Sequence, residues 1–439
     1  MLKTINFYLV TCLSFIILIS ESCSNNSTVP FPKNMEYGQP MSVPLNFSQA
    51  SQLRWVPMTL PQKKLIIKKL DLDNLQTTPY ETEDFKALGK APEKDYFNLT
   101  DLHTVPFNFD KLKANPIKFI TTSLAPPVTI KSIPPEVVTG TSLSMLSVNY
   151  QQGISGEVCT AIFKDSNGLI WAATDKGLFR YDGENSELFN LAFNSTISNI
   201  AEDNAGRIWY LSQDGLGMLD IQNGTASYST QIKANNSQWA KFLKDDKGRL
   251  WISNTIPLGV VIIDPSLETY KILDSKTGLS RSIDWDTRGI VEDNYKNVWI
   301  SHDRGSVDII NINKSLIRSL GKNNGFINDS VSAETIDNSG KIWLAVGEKE
   351  LNAIDLEHNT ITKFEIPITM RKTTQTELMD SEFSSNMASD LLYDNEDRLW
   401  IGYKYGIIIL DTKTERTKFL IFQTNSAYSS FLIIKTEYK

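Results

Sequence analysis

The residue types best suited to catalysis are few and scattered along this 439-residue chain. Its three histidines, His103, His302 and His358, are far apart in sequence, so a histidine-based metal site is not expected. The sequence contains neither a glycine-rich phosphate loop followed by Lys-Ser/Thr nor a Gly-x-Ser-x-Gly nucleophile elbow. We therefore predict no catalytic residues, no metal site and no cofactor, and only His302-Asp303-Arg304 hints at chemistry.

Polar side chains recur at another kind of position, in short loops that each follow a tryptophan-bearing segment. These loops vary from copy to copy, as a surface that binds a small polar ligand or a partner protein requires. We predict ligand contacts from them, with simple solvated turns as the alternative. The predicted contact residues are Asp175, Lys176, Gln213, Asp214, Asn254, His302, Asp303, Arg304, Glu348, Lys349, Lys404 and Tyr405. Trp239 and Trp285 lie outside the pattern and are candidate stacking residues, with core packing as the alternative.

The segments that position these loops repeat six times between residues 151 and 422. In the first unit an apolar strand ends at Lys164, the turn Asp165-Ser166-Asn167-Gly168 follows, and the next strand carries Trp171. Asp and Gly favour a tight turn, because Gly takes a positive φ and Asp bonds its own backbone. We therefore interpret the repeated aspartates as turn residues rather than ligands, namely Asp165, Asp203, Asp245, Asp293 and Asp337.

Six tryptophans mark the units and recur roughly every 40–50 residues. They are Trp171, Trp209, Trp251, Trp299, Trp343 and Trp400. We interpret them as core side chains that fill the space between neighbouring sheets, rather than as sugar platforms. Each unit has room for four short strands, and one such sheet cannot bury both of its faces, so the units must stack around an axis. The sequence predicts an all-β fold, a β-propeller of six four-stranded blades, or part of a seven-blade ring.

The units resemble the two-component regulator propeller repeat, whose pattern runs roughly Asp-x-x-Gly-x-(Leu/Ile)-Trp and continues through a second turn glycine to Asp. The first unit matches nearly throughout, as far as Asp182. Glycines of the pattern are replaced at Asn297, Glu350 and Asp397 in the fourth, fifth and sixth units. The resemblance implies the extracytoplasmic sensor domain of Bacteroidetes-type hybrid sensor histidine kinases and related signalling proteins. We find no kinase, phosphatase or receiver segment after the repeats, so we expect no enzymatic output domain here.

Residues 23–150 differ from the repeats in their frequent prolines and short apolar runs such as Leu65-Ile66-Ile67. Proline removes a donor from a strand ladder and pushes its neighbour toward extended backbone. We predict an extended Pro-rich arm that packs on the propeller and tethers it. The strand-like segment 143–149 is a candidate to pair with the last blade and close the ring. Residues 423–439 no longer keep the repeat, and they form either a divergent closing strand or out-of-frame sequence before a premature stop.

The first residues are typical of a targeting segment. Lys3 precedes an apolar run from Ile5 to Ile19, which has signal-peptide length and is short for a transmembrane helix. We predict a signal peptide over residues 1–22. Cys23 then follows a small residue, and the junction resembles a bacterial lipobox, although Ser20 stands where Leu is usual. The resemblance implies lipidation of Cys23 and a periplasm-facing, membrane-anchored lipoprotein; a secreted or outer-membrane location is the alternative.

The formal net charge of -7 and the pI of about 5.3 argue against a nucleic-acid partner, since such proteins usually carry a clustered basic surface. Three functions remain. The first is an extracytoplasmic sensor module whose axial face binds a small polar ligand, such as an oligosaccharide, or a partner protein. The second is a scaffolding lipoprotein that holds an envelope protein. The third is a propeller lyase or hydrolase, and fold alone does not decide among them.

Overall fold

The computed structural model describes residues 17–18, 85–96, 98–137, 145–156, 158–193, 195–235, 240–280, 287–302, 306–321, 330–367, 387–403 and 406–421. Within these ranges the chain forms six β-sheets arranged as the blades of an all-β propeller, which confirms the predicted fold class. No helix in the described ranges is long and apolar enough to cross a membrane. Apart from residues 17–18, the predicted leader lies outside these ranges, as do Cys23 and the tail from residue 423.

Each blade takes four antiparallel strands from one sequence repeat. The first strands of consecutive blades contact one another, which places them at the axis. From the axis outwards the strands of the first three blades are Cys159–Lys164, Ile170–Thr174, Gly177–Tyr181 and Asn185–Phe189 (blade 1), Ile197–Glu202, Ile208–Ser212, Leu216–Asp220 and Thr225–Ser229 (blade 2), and Phe242–Lys244, Leu250–Ile252, Val260–Asp264 and Thr269–Leu273 (blade 3). Those of the other three are Thr287–Glu292, Val298–His302, Ser306–Asn311 and Leu316–Gly321 (blade 4), Val331–Ile336, Ile342–Val346, Glu350–Asp355 and Thr360–Glu365 (blade 5), and Asp390–Tyr393, Arg398–Tyr403, Gly406–Asp411 and Arg416–Ile421 (blade 6).

The inner strands are largely apolar, and in blades 2 to 5 a neighbouring blade covers each face of the sheet. Val298–His302 of blade 4, for example, is buried at every position. Apolar clusters join blades 1 and 2, 2 and 3, 3 and 4, 4 and 5, and 5 and 6. The remaining face of blade 1 packs against Val148 and Ile154, which lie just before the first repeat. The core is therefore a series of inter-blade layers, as stacked repeats require.

The blades differ from the prediction in having five strands rather than four. The fifth strand of every blade comes from residues 85–132, which we call the belt. In chain order the belt strands are Lys86–Ala87 on blade 6, Glu93–Tyr96 on blade 5, Thr104–Pro106 on blade 4, Asn115–Pro116 on blade 3, Ile120–Ser123 on blade 2 and Val128–Lys131 on blade 1. The belt therefore visits the blades in reverse order before the chain enters blade 1.

Apolar side chains anchor the belt between blades. Leu102, Phe107 and Ile117 are buried in the clusters that join blades 4 and 5, 3 and 4, and 2 and 3. Leu88 and Leu124 pack against the clusters of blades 5 and 6 and of blades 1 and 2. Five of the six belt strands are thus followed by a side chain that enters an inter-blade layer.

The glycine replacements are accommodated by residues that adopt the left-handed backbone themselves. Gly168 has φ +87°, and the equivalent residues of the fourth and sixth blades are Lys296, with φ +65°, and Asp397, with φ +60°. The prediction that Asn297 occupies the glycine position was wrong by one residue, because Asp293 and Trp299 fix the turn length. Glu350 begins a regular strand.

Smaller elements complete the described chain. Lys233–Ala234 pairs with Thr255–Ile256 beside blade 3, and 3₁₀ turns span Leu99–Asp101, Phe109–Lys111 and Tyr150–Gln152. Met145–Ser147 pairs with Glu136–Val137 and Ile17–Leu18. Among the described strands Met145–Ser147 has no pairing with blade 6, so the suggested ring closure through this segment is not found.

Candidate functional site

The repeated tryptophans are buried, and each indole is fixed by the turn aspartate of its own blade. Nε1 of each of the six repeated tryptophans donates to Oδ2 of the aspartate six residues earlier, at 2.7–3.0 Å. In each turn the other carboxylate oxygen accepts backbone N–H groups, as Asp165 Oδ1 does from Asn167 and Leu169. These six pairs build the blades, and their polar atoms are occupied within the protein.

The predicted loop contacts divide between surface and interior. Lys176, Gln213, Asp214, Glu348 and Lys349 are exposed. Asp175 is partly buried, and its Oδ1 accepts the backbone N–H of Val158 at 3.1 Å. Asp303, Arg304, Lys404, Tyr405, Trp239 and Trp285 lie outside the described residues. Glu348 and Lys349 line an open groove with Lys90, Glu93 and Lys363.

Asn254 and His302 were predicted as surface contacts, but the structure buries both. His302 Nε2 lies 3.1 Å from Asp308 Oδ2, which also accepts the Ser280 N–H at 2.9 Å. Ser319 Oγ donates to Asp308 Oδ1 at 2.6 Å. Burial favours the neutral acid, but the hydrogen bonds from His302, Ser319 and Ser280 outweigh it and lower the pKa of the Asp308 carboxyl. This network holds the crossover between blades 3 and 4 and offers no accessible base.

A different set of polar residues belongs to the first strands, which surround the axis. Every first strand, or the residue directly before it, contributes at least one polar side chain, in five blades near the end where the second-to-third strand loops lie and in blade 5 at the middle of the strand. We call this set the inner rim: Thr160, Asn199, Lys241, Arg288, Glu334 and Asp390. Its members differ from blade to blade, so the rim has the asymmetry that recognition of a specific ligand needs.

The central contact of the inner rim is an ion pair between blades 3 and 6. Lys241 Nζ lies 3.2 Å from Asp390 Oδ2, and the side chains are only 17% and 8% exposed. Blades 3 and 6 do not follow one another along the chain, so this contact reaches across the axis. Burial raises the pKa of the Asp390 carboxyl, and the Lys241 ammonium acts against that rise. Removing one partner of such a partly desolvated ion pair destabilises the protein, because the other charge is left buried without a counter-charge.

Neighbouring blades are also joined at the inner rim by side-chain hydrogen bonds. Thr160 Oγ1 donates to the carbonyl of Ile197, the first strand residue of blade 2. Asn199 Nδ2 donates to the carbonyl of Ala240 beside blade 3, at 3.1 Å. These bonds tie the first strand of blade 1 to that of blade 2, and the first strand of blade 2 to the start of blade 3.

Glu334 is a buried carboxyl between blades 4 and 5. It occupies the space left by Gly289, where a Cβ atom would lie 2.6 Å from Glu334 Cγ and 2.7 Å from Ser301 Oγ. Burial raises the pKa of the Glu334 carboxyl well above its ordinary range, and the Ser301 hydroxyl beside it opposes the rise. Ser301 Oγ nevertheless lies outside hydrogen-bond geometry, and both Glu334 oxygens are without a hydrogen-bond partner. Unpaired buried acceptors of this kind are uncommon and call for a physical explanation.

Sequence reasoning missed the inner rim because it searched the loops rather than the first strands. The signal was present, since the position of Glu334 is apolar in every other repeat. The equivalent residues, matched by their pairing to the residue after the tryptophan, are Ile162, Ile200, Phe242, Ile290 and Leu391. The Lys241–Asp390 contact could not be predicted in this way, because the two residues are distant in sequence and meet only when the blades are in place.

No protein-family model matches the chain, and no curated protein matches it either. Among solved structures, the chain is similar to the extracellular domain of BT3049 from B. thetaiotaomicron, named as a hybrid two-component system, with 19% identity, a TM-score of 0.49, and coverage of 72% of this chain and 39% of that one. The corresponding domain of BT4673 from the same organism gives 18% identity, a TM-score of 0.49, and coverage of 66% and 41%. Virginiamycin B lyase from Staphylococcus aureus gives 12% identity, a TM-score of 0.47, and coverage of 72% and 94%.

The chain spans about two fifths of the length of the two B. thetaiotaomicron structures. These likenesses concern the fold alone. The six blades themselves confirm the propeller architecture that the two-component regulator propeller repeat implied.

Proposed function

We propose that this chain is an extracytoplasmic ligand-sensing module of a two-component-type signalling system, and that a small polar ligand such as an oligosaccharide binds at its inner rim without being chemically changed. The Lys241–Asp390 pair carries the proposal, because it joins two non-consecutive blades across the axis at 3.2 Å. The exposed loop residues Lys176, Asp214 and Lys349 would form the outer part of the same site. The repeat resemblance supports the signalling role.

The physical basis of sensing is competition for the paired charges. A polar ligand on the axis that bonds to Lys241 or Asp390 must weaken or replace their contact. The bonds from Thr160 and Asn199 to the next blade would then pass a shift of one first strand to its neighbour. A ligand that favours one arrangement of the blades shifts the population toward it, which is the output such a module needs.

The test is isothermal titration of the purified mature chain with neutral and acidic oligosaccharides of defined length. We expect one class to bind the wild-type chain and to bind the Lys241→Met/Asp390→Asn double variant much more weakly, with no new product detectable after incubation. Equal binding by both proteins would place the site elsewhere. Turnover of the bound sugar would instead favour the lyase or hydrolase hypothesis.

Membrane attachment through Cys23 is part of the proposed function. Its support is the lipobox-like junction that ends the apolar leader. Incorporation of labelled fatty acid into the wild-type protein, and its loss in Cys23→Ser, is the expected result. Labelling that persists in Cys23→Ser would exclude this anchor.

A scaffolding role is the second candidate function. The observation that favours it is that apolar side chains are exposed around the outside of the propeller, among them Tyr96, Ile120, Val128 and Tyr150. Exposed apolar patches commonly mark contacts with other proteins. Such a role is compatible with ligand sensing, because the outside of the propeller and the inner rim at its axis are different surfaces.

A further inference from the structure

The belt strands form the outer edges of the blades, and these edges differ in how well they are protected. In an antiparallel ladder alternate residues direct their N–H and C=O groups away from the partner strand. The N–H of Phe107 bonds to Ser315 and that of Ile117 to Glu268, both inward. By alternation, the outward-facing positions next to them are Pro106 on blade 4 and Pro116 on blade 3. Proline has no N–H, so these two edges lack an outward donor there.

The belt strands of blades 5 and 6 are protected in other ways. Glu93–Tyr96 on blade 5 carries three charged residues in succession, and Lys86–Ala87 on blade 6 has only two residues. Charge, proline and short length are the usual means by which proteins prevent a free edge from pairing with another chain. Four of the described edges are therefore protected.

The edges of blades 1 and 2 are less protected: Ile120–Ser123 on blade 2 carries neither charge nor proline, and Val128–Lys131 on blade 1 carries a single charge, Lys131. The edge of blade 1 differs from that of blade 2 in having several exposed apolar side chains around it. Ser132 N–H bonds inward to Glu184, so the outward N–H groups of Val128–Lys131 are those of Thr129 and Lys131. Among the described residues no strand pairs with this edge. Val128 is 62% exposed, and Ile133 and Tyr150 beside the strand are 50% and 73% exposed. An open ladder edge thus lies next to an apolar patch.

We propose that the outer edge of Val128–Lys131 binds an extended segment of a partner protein, which adds a sixth strand to blade 1. The size of the edge favours a peptide segment over a second copy of this chain. Four strand residues span about 13 Å. An edge of that length offers far less surface than the roughly 1,200–2,000 Å² that a stable dimer buries. Strand addition to an exposed edge needs only such a short stretch.

The side chains of this edge indicate which residue types a bound segment should carry. Val128–Lys131 contains no acidic residue and one exposed cation, Lys131. Val128 and Ile130 project from one face of the strand, because side chains alternate between faces. The partner segment therefore carries β-branched residues and an acidic residue near the end that meets Lys131. Pro126-Pro127 and Pro134-Pro135 limit its length by bounding the open edge on both sides.

The test uses a fluorescein-labelled hexapeptide of alternating Thr and Val with one Glu, and fluorescence anisotropy against the purified mature chain. The peptide should bind the wild-type chain and the Thr129→Val variant equally, because both keep the outward N–H. Thr129→Pro should weaken binding about tenfold or more, which corresponds to the loss of a backbone hydrogen bond. The same peptide methylated on every backbone nitrogen should not bind, because neither of its edges can then donate to the strand.

Three outcomes overturn the proposal. They are failure of the peptide to bind the wild-type chain, equal binding by Thr129→Pro, and equal binding of the methylated peptide. The methylated peptide keeps the test decisive if Thr129→Pro does not fold. Sedimentation without peptide tests for a second copy of the chain at this edge. A dimer that disappears in Thr129→Pro would assign the edge to that copy, and is a fourth outcome that overturns the proposal. The axial ligand plays no part in this test, so its result is separate from that of the proposed function.

Discussion

Asp245 shows how one side chain sets the shape of a blade. Its Oδ2 accepts from Trp251 Nε1 at 2.9 Å and from Arg249 Nε at 2.6 Å, while Oδ1 accepts the Lys247 and Arg249 backbone N–H groups. The same carboxylate therefore closes the turn, orients the tryptophan and neutralises the arginine. The repeat spacing predicts the turn and the buried tryptophan, but not the bond that joins them.

Replacing Asp245 by alanine should lower the free energy of unfolding by about 3 kcal/mol, because a buried indole N–H and a partly buried guanidinium lose their acceptor. Urea denaturation followed by tryptophan fluorescence measures the change. The neighbouring Asp246→Ala is the matched control, since Asp246 is exposed and its ion pair with Lys296 is solvated, and it should change stability by less than about 0.5 kcal/mol. Equal losses in both variants would contradict this role of Asp245.

Glu334 makes stability depend on pH in a predictable direction. Burial raises the pKa of its carboxyl in the folded chain. The unfolded chain therefore loses its proton first as the pH rises, and the folded state becomes less stable through that interval. Glu334→Gln, which is neutral at every pH, should be more stable than the wild-type chain at pH 8 and close to it at pH 4.

Urea unfolding of both proteins at pH 4 and pH 8 provides the measurement, with Glu357→Gln as an exposed control. Glu292 also titrates between pH 4 and pH 8, since burial raises its pKa to about 7. Its effect is common to wild type and Glu334→Gln and cancels in the comparison. A stability difference that is the same at both pH values would exclude Glu334 as the cause.

At the scale of elements, the blades could be predicted and the belt could not. The blades follow from a local period: Asp, Gly and Trp recur at fixed offsets, and each offset is a turn or a strand. The belt has no such period, and its strands pair with residues up to 331 positions away, as Lys86 does with Thr417. Its prolines predicted extended backbone correctly, but they gave no information about the partner strands.

The apolar anchors of the belt should contribute measurably to stability. Phe107 is 4% exposed between blades 3 and 4, so Phe107→Ala should destabilise the protein by about 3–5 kcal/mol. Hydrogen exchange should also rise in the facing strands Thr269–Leu273 and Leu316–Gly321. Tyr96→Ala is the control, because Tyr96 lies on the same belt and is 80% exposed. An unchanged exchange pattern in Phe107→Ala would mean that the belt side chains do not stabilise the blades they contact.

For the whole molecule, the decisive contacts are those that join distant blades. Lys241 and Asp390 lie in the third and sixth repeats, and no local pattern indicates that they meet. Lys241→Met should destabilise the chain by about 3 kcal/mol, because it leaves a buried carboxylate without its cation. Adding Asp390→Asn should recover most of that loss. A double-mutant cycle by urea unfolding measures the coupling, and additive effects would show that the pair does not hold the blades together.

The central claim is that ligand binds at the inner rim and changes how the blades are held. Hydrogen exchange with mass spectrometry, with and without a ligand identified by titration, tests it most directly. We predict protection of the first strands of blades 3, 4, 5 and 6, which carry or directly follow Lys241, Arg288, Glu334 and Asp390, together with altered exchange at the blade interfaces. Protection confined to the outer strands, with the first strands unchanged, would contradict the axial site and the sensing mechanism built on it.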